Sequence, residues 1–423
     1  MSELEELLDE TAATARLNAT GINATATPLY VRHKPGETTI IAYRFDLADG
    51  SSTHGYAHWC NDPARADQIL AKAKTLRPRP SLISNGLDRI DDHTVLYSFP
   101  NDARLRRLRW YCDTRKMRRS LASLVDPDDL ISRTDTTTGV LRYKPERRVV
   151  NHVSLRTNAG AHRELLIRYT TKPHASELSQ VARHLRANGI STPKPLAALE
   201  DGRVSVDEFI EGQQLQETIA TGEANPEAIA NSVARFHSVG LPARVTARTR
   251  SKELGRATGG LLGLAGWRPE LAQAASSTAE LLRRTQPTAC VRPSLLHGDL
   301  HSKNVLQTNQ GLSFVDLERV SAGDPAIDLG YFLAHGIAQP IRYPELSPAA
   351  ATFAYLVVDH YRQQSNAMSE AVLTWHTAVG LIDQALLVAR HLDANWQTTT
   401  PRLLDMASAT LSQNRITTRT LQL

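Results

Sequence analysis

One short stretch of the chain holds a histidine, two aspartates and an asparagine at the spacing that phosphoryl transfer requires. His297 stands two residues before Asp299, and Asn304 follows five residues later. Asp316 comes twelve residues after the asparagine, directly behind the apolar run 312–315. In an H-x-D-x-x-x-x-N loop the aspartate accepts a hydroxyl proton, while the asparagine and a later aspartate hold Mg²⁺. The pattern therefore predicts Asp299 as catalytic base, Asn304 and Asp316 as magnesium ligands, and ATP as donor, since Mg²⁺ prefers hard oxygen ligands.

The same stretch resembles the aminoglycoside phosphotransferase family, relatives of choline kinases within the protein-kinase-like fold. Three blocks carry the resemblance in the family's order: HGDLHSKNVL at 297–306, DLE at 316–318 and GDPAIDL at 323–329. A lone H-x-D would be weak, whereas three blocks at matching spacings are specific. The alternative is that these polar residues only cap loops.

The resemblance also implies supporting roles around the catalytic loop. His297 is expected to fix the loop by hydrogen bonds, with His301 as a second supporting residue. Glu318 either supports the metal or faces the acceptor. Asp324 and Asp328 are interpreted as structural, because a carboxylate is favoured at the N-terminus of the helix that begins near Pro325.

The resemblance extends, less specifically, to the nucleotide side of the site. The strand RELLIRYTT (163–171) corresponds to the strand that carries the phosphate-contacting cation. That position assigns the role to Arg168, whose guanidinium can hold a phosphate with two donors, and leaves Lys172 as the alternative. Glu177, at the start of the next helix, is the expected ion-pair partner. An exposed pair without function is the other interpretation.

The segment VSVDEFIEG (204–212) resembles the hinge between kinase lobes. There the backbone carbonyl of Glu208 and the N–H of Ile210 are expected to contact the adenine edge. The turn at 144–148 departs from protein kinases because it has no glycine. Arg147 is one of three basic side chains, with Lys144 and Arg148, that could replace backbone contacts to phosphate.

The acceptor is expected to be a small molecule. Only eleven residues separate Asp316 from Asp328, which leaves no room for an A-P-E element or a long activation loop. Residues 211–423 hold 18 basic and 18 acidic residues, whereas a polycationic aminoglycoside would favour an acidic pocket. This favours a sugar or another alcohol. The alternative from another class is a catalytically weak nucleotide-binding or scaffold protein.

A weak internal repeat precedes this region. At a constant offset of 110, the segment 30–45 aligns with 140–155, and three further pairs follow: 55–59 with 165–169, 62–67 with 172–177, and 96–100 with 206–210. One ungapped offset that links four segments indicates a duplicated β-rich unit. The alternative is two unrelated hairpins that share a turn motif.

The first copy is not expected to bind nucleotide. It places His58 where the second copy has Arg168, and Asp67 where the second has Glu177. A neutral imidazole is a poor phosphate clamp at pH 7. No second H-x-D-x-x-x-x-N loop follows, so we expect the first copy to pack against the catalytic lobes.

These elements define an α+β, bilobal protein-kinase-like fold with an extra N-terminal β-rich unit that resembles a duplicated N-lobe. The predicted domains are 1–135 for the extra unit, 136–210 for the β-rich N-lobe and 211–423 for the C-lobe, whose apolar residues recur with helical period. Residues 126–138 have the polar composition of a linker.

Charge and composition limit the remaining possibilities. The 423 residues carry a net charge of +5, all of it in 1–210, which is too mild to indicate nucleic-acid binding. Eight basic residues lie within 104–119, in a predicted amphipathic helix whose basic face contacts an anion or membrane surface, or is simply solvated. No apolar run reaches membrane-spanning length, and the acidic N-terminus does not resemble a signal peptide. We therefore expect a cytoplasmic protein without a membrane span.

Overall fold

The computed structural model describes residues 3–34, 38–124, 130–288, 292–343, 349–364, 368–393 and 395–413. The chain divides into two compact units. The first unit comprises Met1–Ser179, Lys194–Phe209 and Arg390–Leu392, and the second comprises Gln180–Pro193, Ile210–Ala389 and Asp393–Leu423. The predicted domain boundaries at 135 and 210 stay predictions, and residues 126–129 of the predicted linker lie outside the described part.

The first unit is built largely from strands. Its elements in chain order are α1 (Glu3–Leu8), α2 (Glu10–Asn18), β1 (Ala24–Lys34), β2 (Thr38–Leu47), β3 (Ser52–Cys60), α3 (Pro63–Lys74), β4 (Leu87–Arg89), β5 (Thr94–Ser98), α4 (Leu108–Tyr111), α5 (Thr114–Leu121), β6 (Thr137–Lys144), β7 (Arg148–Arg156), β8 (His162–Thr170), the start of α6 (Ala175–Ala187), β9 (Pro195–Leu199) and β10 (Val204–Glu208). Helix α6 continues into the second unit.

Two five-stranded sheets in this unit have the same topology. Their strand orders are β1-β2-β3-β5-β4 and β6-β7-β8-β10-β9, and each has a helix, α3 or α6, after its third strand. The strand pairing also repeats at the offset of 110. Ile41 pairs with Ala57 as Asn151 pairs with Ile167, and His58 pairs with Val95 as Arg168 pairs with Ser205. The predicted extra unit that resembles the N-lobe is thereby confirmed.

Each sheet has its own apolar core. The first copy buries Tyr56, Val95 and Tyr97 of its sheet against Ala66 and Ala73 of α3. The second copy is covered on one face by the basic segment that follows the first copy. Leu105, Leu108, Met117 and Leu121 of that segment pack with Val149, Val153 and Ile167 of the sheet.

The basic segment is not the single helix that its periodicity predicts. Asp113 has an extended backbone, and its side chain accepts hydrogen bonds from the N–H groups of Arg115 and Lys116. Such a side chain caps a new helix. The segment therefore forms α4 and α5 in succession, although its apolar residues are buried as predicted.

The second unit is mainly helical. Its remaining elements are β11 (Gln213–Gln214), α7 (Leu215–Thr221), α8 (Pro226–Ser238), β12 (Thr246–Ala247), α9 (Arg250–Trp267), α10 (Ala272–Arg284), β13 (Ser294–Leu296), β14 (Val305–Thr308), β15 (Gly311–Phe314), β16 (Ser321–Gly323), α11 (Ala326–Arg342), α12 (Ala349–Gln364), α13 (Glu370–His391) and α14 (Trp396–Gln413). Two small sheets, β11-β14-β15 and β12-β16-β13, hold the catalytic segment.

Helices α9 and α13 of this unit differ from what their sequences alone suggest. Helix α9 was not predicted, because five of its eighteen residues are glycine, which weakens the helical pattern. Helix α13 is long and apolar enough to cross a membrane by length and composition, but 83% of its most apolar window is buried inside the protein. Such burial is typical of the core helix of a globular unit.

Candidate active site

The predicted catalytic loop begins where β13 ends, and a buried carboxylate holds it there. The backbone N–H groups of His297 and Gly298 donate to the two oxygens of Asp328, at 2.6 Å and 2.8 Å. Asp328 lies in the first turn of α11 and is 1% exposed. Asp328 is thus structural and lies in the first turn of the helix, as predicted, but its oxygens bind the catalytic-loop backbone and do not cap the helix. Asp324 does cap the helix, since it accepts from the N–H of Ala326 at 3.0 Å.

A second layer of hydrogen bonds fixes Asp328. His237 Nε2 donates to Asp328 at 3.1 Å, and His237 Nδ1 is hydrogen-bonded to the hydroxyl of Tyr361 at 2.9 Å. Burial alone would raise the pKa of Asp328, but the bond and charge of His237 hold that pKa below its usual value. The sequence gives no signal for this chain of contacts, because its members lie on three separate helices, α8, α11 and α12.

His297 has the scaffold position predicted for it. It is buried, and its Nε2 donates to the backbone carbonyl of Val315 at 2.9 Å. This bond ties the start of the catalytic loop to the residue before Asp316. One histidine thus couples the position of Asp299 to that of the predicted metal ligand.

Asn304 and Asp316 meet at the base of the hairpin formed by β14 and β15. The N–H of Val315 donates to the carbonyl of Asn304 at 3.0 Å, which sets Asp316 beside the asparagine. The amide Nδ2 of Asn304 donates to the carbonyl of Asp299 at 2.9 Å. That bond fixes the amide so that its Oδ1 is the atom left for a ligand.

The backbone of Asp316 is in the left-handed region, with φ 59° and ψ 56°. A non-glycine residue there is strained by roughly 1–3 kcal/mol, and such strain concentrates at functional sites. Gly298 is also left-handed, at φ +77°, and a Cβ on it would lie 2.0 Å from the carbonyl oxygen of Arg319. The catalytic loop and the residues after Asp316 therefore pack backbone against backbone.

An arginine and a glutamate support the loop from the other side. Arg248 donates to the carbonyl of Gly298 at 2.6 Å and to Glu253 at 2.6 Å and 2.9 Å. Burial would raise the pKa of Glu253, but the hydrogen bond from Arg248 and the charges of Arg248 and Arg256 lower it to about 2. Glu253 is therefore ionised over the whole physiological range.

The carboxylate of Asp299 lies among other charged groups. Arg319 contacts its Oδ1 at 3.3 Å, and the negative charge of Asp299 raises the pKa of Arg319. Tyr331 is close enough for its pKa to be raised, chiefly by burial and then by the charges of Asp299 and Asp383. Asp383 forms an ion pair with Arg256, while its Oδ2 is buried without a hydrogen-bond partner in the described part of the chain. Sequence reasoning missed these four residues.

His301 and Glu318 lie on the two short 3₁₀ turns that flank the hairpin. His301 Nδ1 accepts from the N–H of Lys303 at 3.2 Å, and its ring stacks on that of His335 at 4.6 Å. Burial lowers the pKa of His301 to about 4, so the ring is neutral at pH 7. His301 supports the loop as a neutral cap. Glu318 is half-buried, two residues after Asp316.

On the first unit, Arg168 lies in β8 opposite Ser205 of β10. The carboxylate near it is that of Asp207: burial raises the pKa of Asp207, and the charge of Arg168 opposes this rise. Glu177, the predicted partner, is exposed at the start of α6 and makes no ion pair within the described residues. The pairing of Arg168 with Glu177 stays a prediction, and Asp207 is the carboxylate that sequence reasoning missed.

The predicted hinge residues, Glu208 and Ile210, lie at the end of β10 and just after it. The N–H of Glu208 donates to the carbonyl of Lys194 and that of Phe209 to the carbonyl of Glu164, both at 2.9 Å. The N–H of Ile210 has no hydrogen-bond acceptor in the described part of the chain. An amide that is to contact a ligand must be unpaired in this way. The adenine contacts themselves stay a prediction.

The glycine-free turn between β6 and β7 is tied to the first copy of the repeat. Arg32 donates to Glu146 at 2.9 Å, and Asp102 accepts from the N–H of Glu146 and the hydroxyl of Tyr143, both at 2.8 Å. Glu146 is buried with φ 58°. The turn is thus a rigid docked element and not a flexible glycine loop.

In the parts of the chain that the structure describes, no group of three or more His, Cys, Asp and Glu side chains is arranged to hold a metal ion. The candidate pair here is one carboxylate and one amide. Such a pair fits Mg²⁺, which is commonly held by one or two protein ligands together with substrate phosphates and waters.

Comparison with known proteins agrees with this geometry. Residues 160–363 match the family model described as the phosphotransferase enzyme family, APH. The matched segment contains the catalytic loop, the hairpin and the start of α11, so the resemblance predicted from the three sequence blocks is confirmed. No curated protein sequence matches the chain.

Solved structures establish the fold. A choline kinase from Cryptosporidium parvum Iowa II is similar with a TM-score of 0.54 and 14% identity, over 71% of this chain and 96% of that one. A thermostable mutant of the aminoglycoside phosphotransferase APH(4)-Ia, in ternary complex with ADP and hygromycin B, gives 0.50 and 14%, over 71% and 99%. The predicted kinase-like fold is confirmed, and the chain has the architecture of small-molecule phosphotransferases.

Proposed function

We propose that this protein is an ATP- and Mg²⁺-dependent phosphotransferase that acts on a hydroxyl group of a small molecule. The observation that carries the proposal is the anchored catalytic loop. Asp328 fixes the backbone before Asp299, and one hairpin base holds Asn304 and Asp316 next to each other. If these polar residues only capped loops, neither the anchoring of the loop by Asp328 nor the pairing of Asn304 with Asp316 would be needed.

Asp299 is the base and orienting residue of the proposed reaction. Its carboxylate accepts the proton of the acceptor hydroxyl as the new bond from oxygen to the γ-phosphorus forms. The bond between that phosphorus and the bridging oxygen of ATP breaks, and its electron pair leaves with ADP. Such a transition state is stabilised mainly by positioning and charge, which a rigid loop provides.

Asn304 and Asp316 would hold Mg²⁺, through the amide oxygen and the carboxylate. When bound, the ion neutralises charge on the phosphate oxygens. Glu318 would support this pair or face the acceptor, and His297 and His301 keep the loop in place.

Arg168 is the proposed contact to the nucleotide phosphates. Its guanidinium can donate two parallel hydrogen bonds to a phosphate, and a nearby carboxylate orients it. Asp207, whose pKa is influenced by the charge of Arg168, would orient it, and Glu177 is the partner predicted from the sequence. The carbonyl of Glu208 and the N–H of Ile210 would contact the adenine edge. The ADP in the aminoglycoside phosphotransferase complex supports an adenine nucleotide as donor.

The acceptor would bind beside Asp299, among Arg319, Tyr331 and Asp383. Together with Arg256, which pairs with Asp383, this group offers one carboxylate oxygen that is buried without a partner in the described part of the chain, two guanidinium groups and a phenol. Both charge signs are represented, so the site suits a polar, hydroxylated molecule such as a sugar or another alcohol better than a polycation.

The alternative, a catalytically weak nucleotide-binding or scaffold protein, has one observation in its favour. Arg319 contacts the carboxylate of Asp299, the group that would have to accept a proton. Arg319 is exposed, however, and an exposed ion pair contributes about 1 kcal/mol or less, which an arriving acceptor can displace. A cytoplasmic location and the absence of nucleic-acid partners stay predictions.

The experiment is a transfer assay with Mg·ATP and a library of sugars, polyols and amino alcohols. Phosphorylated product is detected by mass spectrometry, so that the acceptor and the transferred group are identified together. At least one hydroxyl compound should gain one phosphate at the expense of ATP. ATP binding without product from any alcohol, or ATP hydrolysis alone, would favour the scaffold alternative.

A further inference from the structure

A cavity of about 620 Å³ lies within the first unit, on the face of the first sheet that α3 covers. Its lining comes from β1, β2, β3 and β5, from α3, from the segments after β5 and β8, and from the turn between β6 and β7. By the offset of 110, His58 on its wall is the counterpart of Arg168. The cavity of the first copy therefore lies at the position that corresponds to the predicted phosphate contact, Arg168, of the second copy.

The lining is strongly basic. Among the described residues around it, the acidic side chain is that of Glu146, which is already in an ion pair with Arg32 at 2.9 Å. Five further cations line the cavity and make no ion pair within the described part of the chain: Arg65, Lys72, Arg104, Arg147 and Lys172. Like charges gathered in a concavity repel one another, and an anion there removes that repulsion.

The surroundings of His58, in the wall of the cavity, show the same excess of positive charge. Both of its ring nitrogens are buried without a hydrogen-bond partner in the described residues, and its nearest carboxylate oxygen, of Glu146, is 3.7 Å away. Burial, followed by the positive charges of Arg32, Arg65 and Lys34, lowers the pKa of His58 to about 4. The imidazole is thus neutral at pH 7 and able to donate one hydrogen bond to an anion.

We propose that this cavity binds a small molecule that carries two or more phosphate groups. Arginines that converge from separate elements provide paired donors for phosphate oxygens, and lysines add charge without a fixed geometry. The cations line a concavity of small-molecule size and not a convex face, which favours a small ligand over a membrane or a nucleic acid. Asp299, Asn304, Asp316 and Arg168, the residues of the proposed reaction, do not line it. Arg147 and Lys172, the alternative phosphate contacts predicted from the sequence, do line it, so the inference takes Arg168 as the contact to ATP and in that respect rests on the proposed function.

The test is a calorimetric titration of the full-length protein with sodium tripolyphosphate in magnesium-free buffer. Lys72 and Lys74 provide a matched pair, because both are exposed lysines on α3 and only Lys72 lines the cavity. K72E should weaken binding at least tenfold, whereas K74E, with the same change in net charge, should change it less than twofold. R147S, on the turn opposite, is the second cavity variant and should weaken binding at least fivefold.

Several results would overturn the proposal. One is no binding by the wild type, and another is equal affinity in the wild type, K72E and R147S, which places the anion elsewhere. Equal losses in K72E and K74E would mean a general effect of net charge. Inorganic phosphate that binds as tightly as tripolyphosphate contradicts the requirement for several phosphates. Sedimentation with phosphatidylserine vesicles, without tripolyphosphate binding, would assign the charges to a membrane surface instead. Thermal unfolding of each variant checks that it is folded.

Discussion

Asp316 has a backbone conformation that residues other than glycine rarely adopt. Its backbone is left-handed, and the carbonyl of Val315 before it accepts a hydrogen bond from His297. Glycine would adopt this backbone more easily, so the presence of aspartate indicates that the carboxylate itself is needed.

Asp316→Ala should therefore weaken binding of Mg·ATP at least tenfold and change binding of metal-free ATP less than threefold. It removes the charged metal ligand and leaves the contacts to adenine. Calorimetric titrations with and without Mg²⁺ measure both affinities. Asp405→Ala, which removes an exposed carboxylate from α14, is the control and should change neither. Equal losses with and without the metal would contradict the metal role.

At the scale of elements, the support of the catalytic loop by α9 explains why a buried ion network persists there. Glu253 lies on α9, is 2% exposed and binds Arg248, whose guanidinium holds the carbonyl of Gly298. The pKa of Glu253 is lowered from 4.5 to about 2. A lowered carboxyl pKa stabilises the fold above the unfolded value, and that stabilisation is lost as pH falls towards the folded value.

Glu253→Gln should lower the free energy of unfolding by about 3 kcal/mol at pH 7 and by about 1 kcal/mol at pH 3. Urea unfolding at the two pH values measures both differences. Glu280→Gln, an exposed position on α10, is the matched control and should change stability by less than about 0.5 kcal/mol at either pH. A loss at pH 3 as large as at pH 7 would show that the charge of Glu253 is not what stabilises the loop.

The elements also show what sequence reasoning can reach. The duplicated β-rich unit was predicted because four segments recur at one ungapped offset of 110, and the paired strands of the two sheets repeat at the same offset. The candidate base and the candidate metal pair were chosen from their spacing, and their roles stay predictions. Asp328 was predicted to be structural at a helix start, but its partners, the amides of His297 and Gly298, could not be predicted because they belong to a distant segment of the chain. Helix α9 was missed because it is stabilised by packing: a Cβ at Gly260 would lie 2.4 Å from Leu386.

At the scale of the whole molecule, the chain carries its β-rich lobe twice, with one strand order and one register. Only the second copy is followed by a catalytic loop. The two copies share the first unit, and Asp102, just after the first copy, joins them. Its carboxylate accepts from the N–H groups of Arg104 and Leu105 and from Tyr143 and Glu146 of the second copy.

Asp102→Ala should lower the free energy of unfolding of the first unit by about 3 kcal/mol or more, because it leaves buried donors without acceptors. Hydrogen exchange should show loss of protection at the amide of Glu146. Asp92→Ala removes a carboxylate whose side chain is 89% exposed, and should leave both quantities unchanged. An Asp102 variant as stable as the wild type would mean that the copies are held together by apolar packing alone.

Asp299 is the proposed base of the phosphoryl transfer, and its replacement by asparagine tests this role. Asp299→Asn keeps the shape of the side chain but cannot accept the hydroxyl proton. With an acceptor identified by the transfer assay, the variant should lose at least 99% of the wild-type rate, while its ATP affinity stays within threefold. A variant that binds ATP normally and retains more than a tenth of the transfer rate would contradict the assignment of Asp299.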